Sequence, residues 1–346
     1  MVGRAYRTRG RFHSAVALWS GAMLVAGCAA PRGAGDEPSR PGTQGERAAA
    51  TSRGVDPGLD PEVVSLLGRR LYARAAGADP QQERQLVEAQ AALAERPEEV
   101  ERVVWVGRRL GYLWRMNEAI AAFSRGLARH PGYAPLYRHR AHRYVSLRRF
   151  DDAICDLRRA AELIEGRPDE IEPDGMPNAR NVPLTTLAFN VWYHLGLAHY
   201  LKGEWEAALA AYERTMGFSR RYDDNLVATT YWTYLTLRRL SRDQQAGRLL
   251  EPIHADMDII ENRAYHRLLL LYKGVLPVQE LLEAQGHGTL DDATAGYGIG
   301  MWYWLRGDRE QARRVFERVV ESEYWPAFGF IAAEAELARM PARESR

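Results

Sequence analysis

The chain has 346 residues, with 47 basic and 45 acidic side chains and a formal net charge of +2. That balance argues against bulk electrostatic binding to nucleic acid, which needs a strongly basic surface. The length admits two ordinary domains or a single array that grows by adding repeats.

The N-terminus reads in three parts. Arg4 to Arg11 is a basic segment, Ala15 to Ala26 is an apolar run too short to span a bilayer comfortably, and Val25-Ala26-Gly27-Cys28 follows. The first two parts are the pattern of a secretory signal. The last four residues resemble the bacterial lipobox, in which small residues precede a cysteine that is lipidated and becomes the first residue. The competing reading is an ordinary signal peptide cut after Ala30. Residues 1–27 are thus expected to be a lipoprotein signal peptide and Cys28 the lipidation site. Several acyl chains would anchor the protein where one alone holds weakly. Ala29 after the cysteine resembles the outer-membrane sorting pattern of enteric bacteria. The expected location is the envelope, facing the periplasm. Removing residues 1–27 takes away Arg4, Arg7, Arg9 and Arg11, leaving 43 basic against 45 acidic residues, near −2. The one other cysteine, Cys155, then has no internal disulfide partner and is expected as a buried inert thiol.

Residues 28–56 follow as a tether. Pro31 to Gly54 is rich in Pro, Gly, Arg, Ala, Ser and Glu, and cannot bury enough apolar surface to fold. As a coil it would span roughly 25–30 Å. Residues 57–97 are expected as capping helices, from Pro61 to Ala75 and from Gln81 to Glu95. The alternative is one capping helix with a loose segment before it.

From residue 98 to 340 the chain repeats itself. Val103, Gly107, Ala119, Phe123 and Gly126 are separated by four, twelve, four and three residues. Tyr137, Ala141, Ala153, Leu157 and Ala160 keep the same gaps, and so do Trp192, Gly196, Ala208, Tyr212 and Thr215. Gaps of three and four hold residues on one helical face, and the gap of twelve spans a turn. Each unit is therefore two antiparallel helices, with small residues where the backbones approach. Clear units are expected at about 100–132, 134–165, 189–219 and 293–322, the last carrying Gly296, Gly300, Ala312, Phe316 and Val319. Degenerate units are expected at about 227–255, where Tyr234 takes the small residue's place, and 258–285. Between the second and third units the spacing lengthens from 34 residues (Ala119 to Ala153) to 55 (Ala153 to Ala208). The extra segment, residues 166–186, carries Pro168, Pro173, Pro177 and Pro183 among Asp169, Glu170, Glu172 and Asp174. It reads either as functional or as a tolerated surface insertion. A last helix, Pro326 to Arg339, is expected to cap the array, with Glu334, Glu336 and Arg339 on a polar outer face.

These residues, with Pro131 closing the first unit, resemble the tetratricopeptide repeat. The resemblance implies an all-α, right-handed solenoid of antiparallel helix pairs with a terminal capping helix. It also implies a concave inner surface that binds a peptide or protein. In that family the first helix of each unit lines the inner surface. Carried onto this sequence, the lining residues are Arg108, Tyr112, Arg138, His142, Tyr193, Tyr200, Tyr231, Arg238, Tyr297 and Trp304. An arginine and tyrosine surface suits an extended peptide bearing carboxylates. The alternative is that these side chains pack between units.

Nothing points to catalysis. There is no G-x-S-x-G and no P-loop, and the Gly296, Gly298, Gly300 string follows no predicted strand. His139 and His142 are three residues apart on one helix, but Arg138, Arg140 and Arg143 surround them and would repel a divalent ion, so no metal or other cofactor is expected. The expected function is a non-catalytic, lipid-anchored scaffold for a protein or peptide partner. The alternative is a binding module for an envelope glycan or peptidoglycan fragment, stacked on tyrosine and tryptophan. An enzyme is the remotest reading.

Overall fold

A computed structural model describes residues 60–284, 286 and 289–341. The expected signal peptide, Cys28 and the whole tether lie outside the described residues. A two-stranded hairpin comes first, β1 (Val63–Val64) antiparallel to β2 (Arg70–Leu71), with Val63 opposite Leu71. Fourteen helices follow among the described residues. They are α1 (Pro80–Glu95), α2 (Val100–Tyr112), α3 (Met116–Arg129), α4 (Ala134–Ser146), α5 (Phe150–Ile164), α6 (Leu187–Lys202) and α7 (Trp205–Met216). Then come α8 (Asp223–Arg239), α9 (Asp243–Leu249), α10 (Arg263–Lys273), α11 (Val278–Glu283), α12 (Leu290–Leu305), α13 (Arg309–Glu321) and α14 (Phe328–Arg339).

The hairpin corrects one expectation. Pro61 to Ala75 is not a helix. Ser65 accepts hydrogen bonds through its Oγ from the backbone N–H groups of Leu67 and Arg69, each at 3.2 Å, and Gly68 sits at φ +80°. A serine that satisfies its own local backbone competes with helix formation, and the glycine makes the left-handed turn cheap. One capping helix, α1, remains. Asp79 caps it through Gln82 N, and Pro80 begins it.

Helices α2 to α13 form an all-α solenoid of antiparallel pairs. Each pair turns through one residue in the left-handed region: Trp114, Arg148, Gly203, Ser241, Gly274 and Gly307. Five of these stand seven residues after the small-residue place of their unit, even where that place holds Tyr234. The fourth unit thus keeps the turn spacing of the clear units. In them the second helix is short: seven residues in α9 and six in α11.

The expected packing positions Ala119, Phe123, Ala141, Ala153, Leu157, Ala208, Tyr212, Ala312 and Phe316 are all buried, as are Gly107, Gly196 and Gly300. A methyl group at Gly107 would overlap the Phe123 ring, and one at Gly300 the Phe316 ring. Where the second unit has Ala141, the matching residue is the smaller Leu157. Pair volume is thus held across units, as close packing requires. Tyr234, in the small-residue place of the fourth unit, lays its ring parallel to Tyr272 of α10 at 4.9 Å. Cys155 is half-buried rather than buried.

The last helix corrects a second expectation. Instead of turning Glu334 and Glu336 to solvent, α14 packs on α12, α13 and α6 with both carboxylates buried. Glu334 pairs with Arg148 at 2.8 Å, and Glu336 pairs with Arg239 and Arg339. Trp325, just before α14, donates from Nε1 to the Tyr72 carbonyl at 2.9 Å, so the last turns of the array meet the first. A carboxylate this deep requires a cation, and the cations come from α8 and from the α4–α5 turn, far away in sequence.

Candidate partner-binding face

The first helices of the units, α2, α4, α6, α8, α10 and α12, lie side by side and make the inner face. Two kinds of surface occur along it.

Over α2 and α4 the face is polar and cationic. Arg108 donates from Nη1 to the Pro173 carbonyl at 2.7 Å, and Arg109 from Nη1 to the Gly175 carbonyl at 2.9 Å. Arg108 also donates to the Tyr112 hydroxyl at 3.3 Å, so the aromatic ring and the guanidinium are mutually positioned. Arg138 Nε lies 2.9 Å from Glu172 Oε2, with both side chains buried, and His139 Nε2 is 3.8 Å from the other oxygen. The occupant of this surface is therefore the inserted segment 166–186, which touches both of the first two units. Its ends are tied down. Ile171 bridges Thr186, Asp169 accepts from Ala188 N at 3.0 Å, and Asn225 donates to the Leu184 carbonyl at 2.7 Å. Thr186 then caps α6 by accepting from Phe189 N.

Further along, the face is aromatic and closed. His142 of α4 lies 4.8 Å from His194 of α6, ring to ring, and both rest against Phe328 of α14. Burial drives His139, His142 and His194 well below the usual imidazole range, and the guanidiniums of Arg138 and Arg143 push the same way. Tyr193, Tyr200, Tyr231 and Tyr297 are buried among these helices. The Tyr200 and Tyr297 hydroxyls share a hydrogen bond at 2.7 Å, which ties α6 to α12, and burial pushes Tyr200 up to about 12. Arg238 donates to the Tyr234 hydroxyl at 2.9 Å and pairs with Asp243. Trp304 is half-buried, with the Arg239 guanidinium 5.0 Å and the Arg309 guanidinium 3.5 Å from its ring centroid.

The expected lining residues thus divide. Arg108, Tyr112 and Arg138 are brought together on one surface. His142, Tyr193, Tyr200, Tyr231 and Tyr297 pack between helices, the alternative that the sequence left open for them. Arg238 pairs within its own unit, and Trp304 meets Arg239 of α8 and Arg309 of α13. Tyr193, Tyr200, Tyr231 and Tyr297 are closed off from the surface, while Tyr112 is half-buried. Arg109 and Glu172 were missed. Arg109 falls two places after the small residue rather than one, and the sequence could not show that Glu172 folds back onto Arg138. Among the described residues no grouping of three or more His, Cys, Asp or Glu could hold a metal ion, and no helix is long and apolar enough to cross a membrane.

A family model described as tetratricopeptide repeat matches residues 190–216 and 294–323, which fall on the α6–α7 and α12–α13 pairs. The chain is thus an all-α solenoid that carries tetratricopeptide repeats. A search of curated proteins finds no match. Among solved structures the chain is similar to YrrB, described as a repeat protein with an unusual peptide-binding site, at 15% identity over 72% of this chain and 97% of that one, with a TM-score of 0.38. It is similar to a tetratricopeptide repeat protein from Parabacteroides merdae at 12% identity over 72% and 92%, TM-score 0.45. It is also similar to MamA at 17% identity over 62% and 93%, TM-score 0.35.

Proposed function

We propose that this protein is a non-catalytic scaffold that binds a protein or peptide partner on the inner face of its first units, and that it is held in the bacterial envelope by a lipid on Cys28. Repeat solenoids present extended surfaces of this kind for binding. The observation that carries the binding reading is chemical. Arg108, Arg109 and Arg138 already hold an extended acidic segment through two backbone carbonyls and a carboxylate. Guanidinium groups suit such ligands because their donors are fixed in a plane and stay charged. The anchor reading rests on Val25-Ala26-Gly27-Cys28 and the tether-like composition after it.

Two experiments test the two halves. Incorporation of a labelled fatty acid in wild type and its absence in Cys28→Ala supports the anchor; label in neither removes it. Crosslinking in cells should capture one envelope protein with the wild type and lose it with Arg108→Ala/Arg138→Ala. Identical capture by both would remove the first units from the binding site.

A further inference from the structure

The middle of the segment, residues 171–180, is attached mainly through polar contacts, while Leu184 near its end is buried. Two of its larger apolar side chains, Ile171 and Met176, are 49% and 59% exposed, so little hydrophobic burial fixes them. Between Pro173 and Arg180 its links to the inner face are the carbonyl bonds to Arg108 and Arg109. Beyond them, Asn178 hydrogen-bonds the Glu261 side chain, and Arg180 pairs with Asp258 at 2.7 Å with both partners exposed, a kind of contact that contributes little. The deepest electrostatic contact is the Arg138–Glu172 pair, with Nε 2.9 Å from Oε2. Yet the fit has a definite register. A side chain at position 175 would overlap the Tyr112 hydroxyl and crowd Arg108, so the surface takes a carboxylate at one place and a glycine three residues on. The rest of the recognition is to main chain and is indifferent to sequence.

We propose that residues 166–186 are a displaceable internal ligand, and that the surface formed by Arg108, Arg109, Tyr112 and Arg138 takes in their place an extended acidic segment of the partner protein. The inference rests on the partner-binding reading above and adds the chemical class of the partner and the regulation of the site. A tethered occupant acts at an effective concentration on the order of millimolar. A free peptide with the same contacts therefore competes poorly against the intact chain. A true partner must add contacts beyond the segment, or meet a chain whose segment has been released.

The test uses a fluorescein-labelled synthetic peptide with the sequence of residues 168–178, followed by anisotropy. It is titrated against the full wild-type chain, a full chain lacking residues 166–186, and the full chain with Gly175→Ala. The deletion takes the 55-residue spacing back to the 34 residues of the first two units. The Gly175→Ala variant keeps the segment, forces Tyr112 and Arg108 to yield, and serves if the deletion does not fold. The peptide should bind both variants at least tenfold more tightly than it binds the wild type. A peptide carrying Glu172→Gln should lose at least tenfold on the deletion variant, and added salt should weaken the wild-type peptide. Binding to none of the three proteins, or equally to all, overturns the proposal. Failure of the wider reading would look different. If crosslinking still captures a partner that Arg108→Ala/Arg138→Ala loses, while the peptide fails, the internal-ligand idea falls and partner binding stands.

Discussion

The inner face of this solenoid is filled in two ways. Over α2 and α4 it is covered by an inserted segment held by carbonyls, guanidiniums and one buried carboxylate. Over α6 and α12 it is sealed by the chain's own last helix, with buried aromatic rings and two buried carboxylates under it. The first contact is mostly polar and its Arg180–Asp258 pair is exposed, so its outer groups can trade protein partners for water or for a ligand at modest cost. The second is part of the core. Removing one member there leaves an uncompensated charge or a cavity. A solenoid can thus commit one part of its inner face to stability and keep another part for exchange.

The largest effect that sharpens this contrast is expected at α14. Glu334→Ala strands Arg148, whose side chain is 3% exposed, and should destabilise the fold by about 3–5 kcal/mol in a denaturant melt. A loss below about 1 kcal/mol would mean that water reaches Arg148 and that α14 is not core. By contrast, Arg180→Ala breaks the exposed pair that the inserted segment makes with Asp258 and should cost less than about 1 kcal/mol. If the two variants melt alike, the distinction between the regions fails.

Acid should act on the boundary between the regions. Burial depresses His139, His142 and His194, so these groups are neutral in the fold but titrate normally when unfolded. Their neutral burial is favourable above the ordinary imidazole value near 6.5, and stability from this source is lost as pH falls below it. Burial raises Asp156 and Glu261, which works in the opposite sense at low pH. The comparison is therefore made with His142→Gln. Melting temperatures measured from pH 7.5 to 5 should fall less steeply in the variant than in wild type; equal slopes would show that His142 is not buried neutral.

The smallest effect belongs to the turns. Ser241 is exposed and holds φ +56°, a backbone region that costs a side-chain-bearing residue free energy and costs glycine little. Ser241→Gly should stabilise by about 0.5–1 kcal/mol after glycine's extra chain entropy is counted, as a rise in melting temperature. A fall would mean that the turn is not in this conformation.

What the sequence could show follows from how local each signal is. The helix pairs were legible because their packing residues recur at fixed gaps within one unit, as with Gly107 and Phe123. The hairpin at Val63 was not, because its apolar spacing also fits a helix and the decision lay with the Ser65 side chain and Gly68. The fate of the inner face was invisible for a stronger reason. Arg108 meets Pro173 across 65 positions, Tyr200 meets Tyr297 across 97, and Arg148 meets Glu334 across 186. Glu334 and Glu336 looked like a solvated cap because no local pattern announces a cation arriving from another repeat.

The most direct measurement is native-state hydrogen exchange of the full wild-type chain, read by mass spectrometry for residues 171–180 and for α14. The account predicts that residues 171–180 open and exchange at a free energy well below that of global unfolding, while α14 exchanges only with global unfolding. If both regions exchange together at the global value, the inserted segment is as much core as α14, and no part of the inner face is held for a partner.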